Sequence, residues 1–231
     1  MQKLRPNQER AKAAIILIYI VMGIELIDCI SDYFQLQLLQ RFQSGITVSV
    51  SEATANDLRV SILALIYLGA YITSAVFFIR WFRRAYFNLH QVARVLSYGE
   101  GWAAGAWFVP IINLFRPYQI MKELYEETEI LISKRSGTER ITLPTAYVGI
   151  WWTLWIVNNL LGQFIFRSSR EANDIGEMVF NTQMNLFVNL ISIPLALITV
   201  KVIRDYSKVE PLLLLPEEDK LTLSDAEDLL D

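Results

Sequence analysis

Apolar positions along this chain gather into long runs instead of recurring at the spacing of a half-buried surface helix. Four runs, Ala13–Phe34, Leu58–Ile79, Ala146–Phe166 and Met178–Ile203, match the ~20 helical residues that cross a ~30 Å hydrocarbon layer. A fifth, GWAAGAWFVPIINLFRP over residues 101–117, is shorter and interrupted. Pro110 and Pro117 remove backbone donors, and Asn113 brings polar atoms between them. Broken backbone at membrane depth persists only where neighbouring protein satisfies its polar groups. The pattern predicts an all-α integral membrane protein with four transmembrane helices and a short, Pro-broken re-entrant or interfacial helix. A kinked fifth span is the alternative. Gly101, Gly105 and the alanines between them would let the broken segment approach another helix closely.

After it, Ile120, Leu124 and Leu131 recur near helical spacing among Lys122, Glu123, Glu126 and Glu127. That predicts an amphipathic helix over 118–133, lying on the membrane or on a partner. Thr54 with Asp57, and Asp174 with Glu177, read as caps of the second and last spans. Pro144 reads as the first-turn proline of the third.

Charge discriminates between four spans and five, because Lys and Arg accumulate at cytoplasmic helix ends. With five spans and the N-terminus inside, ten of the 21 basic residues fall inside and eleven outside. If residues 101–117 return to the side they left, seventeen fall inside and four outside: Arg41, Arg59, Arg167 and Arg170. The four-span arrangement also brings Trp81, Trp102, Trp107, Trp151, Trp152 and Trp155 toward the cytoplasmic face, as an interfacial aromatic belt requires. Both termini are then cytoplasmic. The chain reads as a helical membrane domain over 1–206 followed by an acidic cytoplasmic tail over 207–231.

Composition agrees: 53% of residues are hydrophobic, 19% charged, and mean hydropathy is +0.32. The net charge of −3 hides a division, since the tail holds eight acids against Lys208 and Lys220 and leaves the remainder at +3. The basic N-terminal MQKLRPNQERAK precedes an apolar run, as in a signal peptide. That run is longer than 20 residues, contains acids and lacks an A-x-A site, so it reads as a retained helix. Lone Cys29 excludes an intramolecular disulfide framework. There is no CxxC, no histidine cluster, and no Walker or Rossmann glycine pattern. The expectation is a non-enzymatic chain with no cofactor, no metal site and no nucleic-acid partner.

Polar residues inside the spans are the candidate chemistry. Glu25, Asp28 and Asp32 lie 3 and 4 apart, on one stripe of the first helix. Asn181, Asn185 and Asn189 repeat every fourth residue on the last span and lead toward Ser192, while the third span adds Asn158, Asn159 and Gln163. At 1.5 Å per residue, Glu25 and Asn158 lie roughly 18 Å, and Asn189 roughly 21 Å, from the inner ends of their helices. Tyr67 and Tyr71 offer hydroxyls at similar depth. These groups either satisfy one another and pin helix register, or form a hydrated cation or proton site. No basic residue lies deep enough to be an obvious partner.

Outside the spans, the solitary His90 follows a basic aromatic run and reads as an ordinary interfacial residue. Arg80, Trp81, Arg83 and Arg84 read as membrane anchors touching lipid phosphates. In the tail, Pro211 to Pro216 bracket four leucines, and Ser224 with Glu227 can cap a last turn bearing Leu229 and Leu230. The leucines suit a docking peptide, for a partner or for the basic face of the same chain, or else belong to a disordered solubilising tail.

The series Trp81, Arg84-Ala85, Asn88-Leu89, Gly101-Trp102, Trp107-Phe108-Val109-Pro110, Asn113-Leu114, Pro117-Tyr118-Gln119 and Met121 resembles a bacterial multi-pass membrane family defined only as a domain of unknown function. Trp151-Trp152, Leu154-Trp155 and Asn159 through Gly162 extend the likeness over about residues 60–205. Glu100 stands where that pattern has a proline. The resemblance implies a bacterial cytoplasmic-membrane protein and lends no catalytic residues. It draws attention to Trp107, Pro110, Asn113, Pro117, Tyr118 and Gln119. Two functions fit: a subunit or scaffold of a membrane assembly, docking a protein partner or a second copy on its cytoplasmic face, or a small ion, proton or solute transporter using the intramembrane Glu/Asp/Asn pocket.

Overall fold

A computed structural model describes residues 4–136 and 142–214. Among the described residues there are six α-helices, two 3-10 segments and no strand: α1 (Gln8–Gln43), α2 (Val50–Val92), α3 (Trp102–Gly105), α4 (Arg116–Ser136), α5 (Ala146–Glu171) and α6 (Ile175–Val209). The 3-10 segments are Ile112–Leu114 and Glu210–Leu214. Helices α1, α2 and α6, the last with its 3-10 extension, are long and apolar enough to cross a membrane. At 36, 43 and 35 residues they outrun the ~20 residues a bilayer needs, so each apolar run continues into a polar extension. Helix α5 has the length, 26 residues, but Asn158, Asn159 and Gln163 interrupt its apolar run, and it is not among those three.

Local signals act partly where the sequence pattern puts them. Asp174 Oδ1 accepts from the Glu177 N–H at 2.8 Å, and Glu177 returns a bond to the Asn173 N–H at 2.7 Å, a reciprocal cap for α6. Helix α2, by contrast, does not start near Thr54. Ser49 Oγ takes the Glu52 N–H at 3.1 Å and nucleates the helix one turn earlier, while Thr54 donates its hydroxyl to the Val50 carbonyl from within it. Pro144 lies just before α5, its carbonyl receiving the Tyr147 N–H at 3.3 Å.

Residues 101–117 form a chain of short turns. One helical turn, α3, is followed by the 3-10 turn after Ile111, whose φ of 67° is unusual for a β-branched residue. Pro117 falls in the first turn of α4, where its missing N–H is not needed. The glycines do not mark a close approach: a Cβ built on Gly101 or Gly105 meets nothing within 4 Å. Ala103 and Ala106, one turn apart and fully buried, form the packed face instead.

The chain falls into two compact units. Unit 1 comprises Met1–Ile15, Ala75–Trp152 and Thr199–Asp231. Its core is aromatic, with Trp81, Phe82, Tyr86, Leu89, Tyr125 and Tyr206 all at 0% exposure. Unit 2 comprises Ile16–Ser74 and Thr153–Ile198. Its described residues bury eight polar side chains but only four apolar ones, Ile18, Val21, Leu39 and Val188. Its large apolar side chains face outward, with Leu65 71% and Phe166 65% exposed.

Candidate functional site

In unit 2 the polar groups predicted from three helices meet in pairs. Asp32 is buried, and its Oδ2 accepts from Asn185 at 2.7 Å and Asn189 at 3.2 Å. The every-fourth-residue spacing on α6 makes this possible, since both amides project from one face. Glu25, also buried, accepts from the Tyr67 hydroxyl at 3.5 Å, with Ser192 facing the same carboxylate. Ser192 in turn donates to Asn158 Oδ1 at 3.1 Å. Asp28 lies between the two acids in sequence, half-buried, and among the described residues it takes part in no hydrogen bond or ion pair.

Other predicted members lie apart from this row. Asn181 accepts from the Ser168 hydroxyl at 2.6 Å, and Asn159 donates back to the Trp155 carbonyl of its own helix at 2.8 Å. Gln163 joins none of these bonds. Sequence reasoning counted Arg59 only as an outside charge; its guanidinium donates to Ser31 Oγ and to the Ser31 carbonyl, both at 3.0 Å, and to Asn56 at 2.7 Å. It stands beside the residue preceding Asp32, and among the described residues it forms no ion pair with an acid. Its proximity to the helix end, not its depth in the apolar run, brings it there.

In unit 1 the broken segment is pinned by aromatics. The Trp107 ring contacts Phe78, Phe82, Trp151 and Trp152 at centroid distances of 5.7–6.4 Å, and its Nε1 donates to the Ala103 carbonyl at 3.1 Å. Trp152 Nε1 donates to the Leu114 carbonyl at 3.1 Å, and Tyr118 stacks on Trp152 at 6.4 Å. Gln119 Oε1 accepts from the Tyr98 hydroxyl at 3.2 Å. Pro117 is buried; Asn113 is half-buried, with its backbone N–H on Val109, and Pro110 is exposed. Phe108 and Ile111 project outward at 76% and 74% exposure. Most of the tryptophans therefore build this core instead of a lipid-facing belt.

The expectation for Trp81 needs the same correction. It has no exposed surface and donates Nε1 to Ser207 at 3.2 Å, with its ring packed against Phe78, Phe82 and Tyr206. Arg80, Arg83 and Arg84, with Arg5 and Arg10, line one cavity of about 410 Å³.

A second buried network has no counterpart in the sequence reading. Glu210 accepts from Asn7 at 3.0 Å and from Asn88 at 2.7 Å, and Asn88 bonds the Arg5 backbone at both its N–H and its carbonyl. Leu213, from the leucine run of the tail, packs with Leu4 and Ile132. The start of the tail thus docks on its own chain; Leu215 onward, including Ser224 and Glu227, lies outside the described residues. His90 Nε2 lies 3.0 Å from the Tyr98 carbonyl, and Tyr86 donates to Glu123 at 2.5 Å. Tyr125 donates to the Val202 carbonyl at 2.7 Å, and burial with Asp205 nearby holds its hydroxyl well above the ordinary phenol value. Unit 1 is thus a polar-aromatic body cross-linked by side-chain hydrogen bonds, with Asn7 Oδ1 one of the buried atoms that has no partner among the described residues.

No curated protein and no solved structure matches the chain. The sequence pattern of one family, a domain of unknown function designated DUF4328, matches residues 45–208 and so covers α2 through almost all of α6. The chain belongs to that family.

Proposed function

We propose that this is a non-enzymatic, four-span protein of the bacterial cytoplasmic membrane with both termini inside, and that unit 2 relays protons along the α1 carboxylates. The observation that carries the reading is Asp28, half-buried between two buried acids and without a hydrogen-bond or ion-pair partner among the described residues. Three ionised carboxylates at spacings of 3 and 4 repel one another in a medium of low dielectric, and an intramembrane acid without a fixed counter-charge suits a proton that comes and goes. Amides and hydroxyls on Asp32 and Glu25 stabilise either protonation state without a permanent cation. Among the described residues no three acids, histidines or cysteines converge as a metal-holding group, which favours protons over a dehydrated divalent ion.

The test is the full chain in liposomes carrying a pH dye, with an imposed potassium-diffusion potential. Asp28→Asn and Glu25→Gln should slow proton entry roughly tenfold or more, the scale of an essential proton-transfer group. Wild-type flux equal to that of protein-free liposomes overturns the reading.

A scaffold function is favoured by a different observation: Phe108 and Ile111 stand out from a packed aromatic body. Such a ridge suits a protein partner or a second copy at the cytoplasmic face. Purification from native membrane in mild detergent should then yield a stoichiometric companion that Phe108→Ser releases.

A further inference from the structure

The five-arginine cavity of unit 1 is built at a level set by the sequence. The apolar run of α1 begins at Ala13, just after Arg5 and Arg10, and that of α2 ends at Ile79, just before Arg80, Arg83 and Arg84. Both positions are ends of apolar runs, where the Lys and Arg of spanning helices meet headgroups. The fold gathers all five around one space of about 410 Å³, large enough for a small organic headgroup.

Their placement leaves most donors unspent. The Arg5 backbone is clamped by Asn88, through a 3.0 Å bond to its N–H and a 2.9 Å bond to its carbonyl. The guanidinium carbons of Arg5 and Arg84 lie 4.4 and 5.9 Å from the centre of the Phe87 ring, which lines the same cavity. Arg10 Nη1 donates to the Arg80 carbonyl at 3.2 Å. That is the one hydrogen bond made by these five guanidiniums among the described residues, and none of them is in an ion pair there. Against five positive charges the cavity wall offers one carboxylate, the exposed Glu100. Buried Glu210, held by Asn7 and Asn88, adds its field at Arg84. The balance is still strongly positive, and like charges at this separation repel unless an anion enters. Planar guanidinium forks match phosphate oxygens two at a time, and stacking on Phe87 pre-orients two of them.

We propose that this cavity is a binding site for the phosphate ester of an anionic headgroup, with a membrane phospholipid as its source. Delipidated full-length protein in mild detergent is titrated with phosphatidylglycerol, oleate and glycerol 1-phosphate, following thermal stability and retained lipid by native mass spectrometry. Arg80 and Arg83 are exposed, so Arg80→Gln/Arg83→Gln should fold; Arg83→Gln alone is the milder second variant. Phosphatidylglycerol should bind and stabilise the wild type, and the double variant should bind it roughly tenfold more weakly or worse. The charge-matched control Arg167→Gln/Arg170→Gln, in unit 2, should stay within about twofold of wild type. Glycerol 1-phosphate binding as tightly as the lipid supports the phosphate site and assigns it to a soluble ester. Equal binding of oleate, which has no phosphate, or equal losses in cavity and control variants, overturns the proposal.

Discussion

The two units bury opposite kinds of residue. Unit 1 packs like a water-soluble protein: Trp81, Phe82, Tyr86 and Tyr206 have no exposed surface, and the buried Asn88 and Glu210 are bonded to each other. Unit 2 is inverted, with Glu25, Asp32, Asn181 and Ser192 inside and Leu65, Phe166 and Leu190 outside. Inversion of this kind follows when the surrounding medium is as apolar as leucine: burying hydrocarbon then gains little, and polar side chains retreat inward to find partners. One chain thus follows two solvation rules, and equivalent substitutions should have unequal consequences in the two units.

The widest gap is expected between two truncations. Trp81→Ala should destabilise the protein by about 3–5 kcal/mol, through lost burial and the cavity left behind. Leu65→Ala, on an exposed face of unit 2, should change stability by no more than about 0.5 kcal/mol. Thermal melts of the detergent-purified variants measure both, and equal shifts would break the contrast. Smaller is the effect of Glu210→Ala, which strands the Asn7 and Asn88 amides in unit 1 and should destabilise by about 1–3 kcal/mol. Glu210→Gln, retaining an acceptor oxygen, should recover part of that loss in the same melts. Smallest is Asn185→Leu in unit 2. It removes one of two bonds to Asp32, and interhelical bonds of this kind average roughly 0.6 kcal/mol. A loss as large as that of Glu210→Ala would mean that unit 2 is held by its polar groups as tightly as unit 1.

Features governed by neighbours in the sequence were the legible ones. The long helices, the Asp174–Glu177 cap and the α6 amides that reach Asp32 all follow from runs or from spacings of three and four residues. Position along a helix also indicated depth, and so the correct company for Glu25 and Asn158. What escaped depends on the partner, which periodicity does not name. Trp81 and Arg80 are adjacent in sequence yet face a sealed core and an open cavity respectively. Gly101 and Gly105 suggested close packing, but Ala103 and Ala106 took the inward face of the single turn. Ser49 preceded Thr54 as a cap because it reached the first free N–H groups one turn sooner. The Asn7–Glu210 bond joins residues 203 positions apart, and nothing local distinguishes either residue from an ordinary polar end.

That same bond makes the closing of unit 1 a long-range event. The unit is sewn from three separated stretches of chain, and the buried Leu213 packs against Leu4 and Ile132. Asn7 and Glu210 meet across 203 residues, and contacts of such range form only after a long loop has closed, which slows folding. Leu4 and Asn7 therefore stay without these partners until residues 210–213 return to them, and no set of neighbours in the sequence completes unit 1 alone.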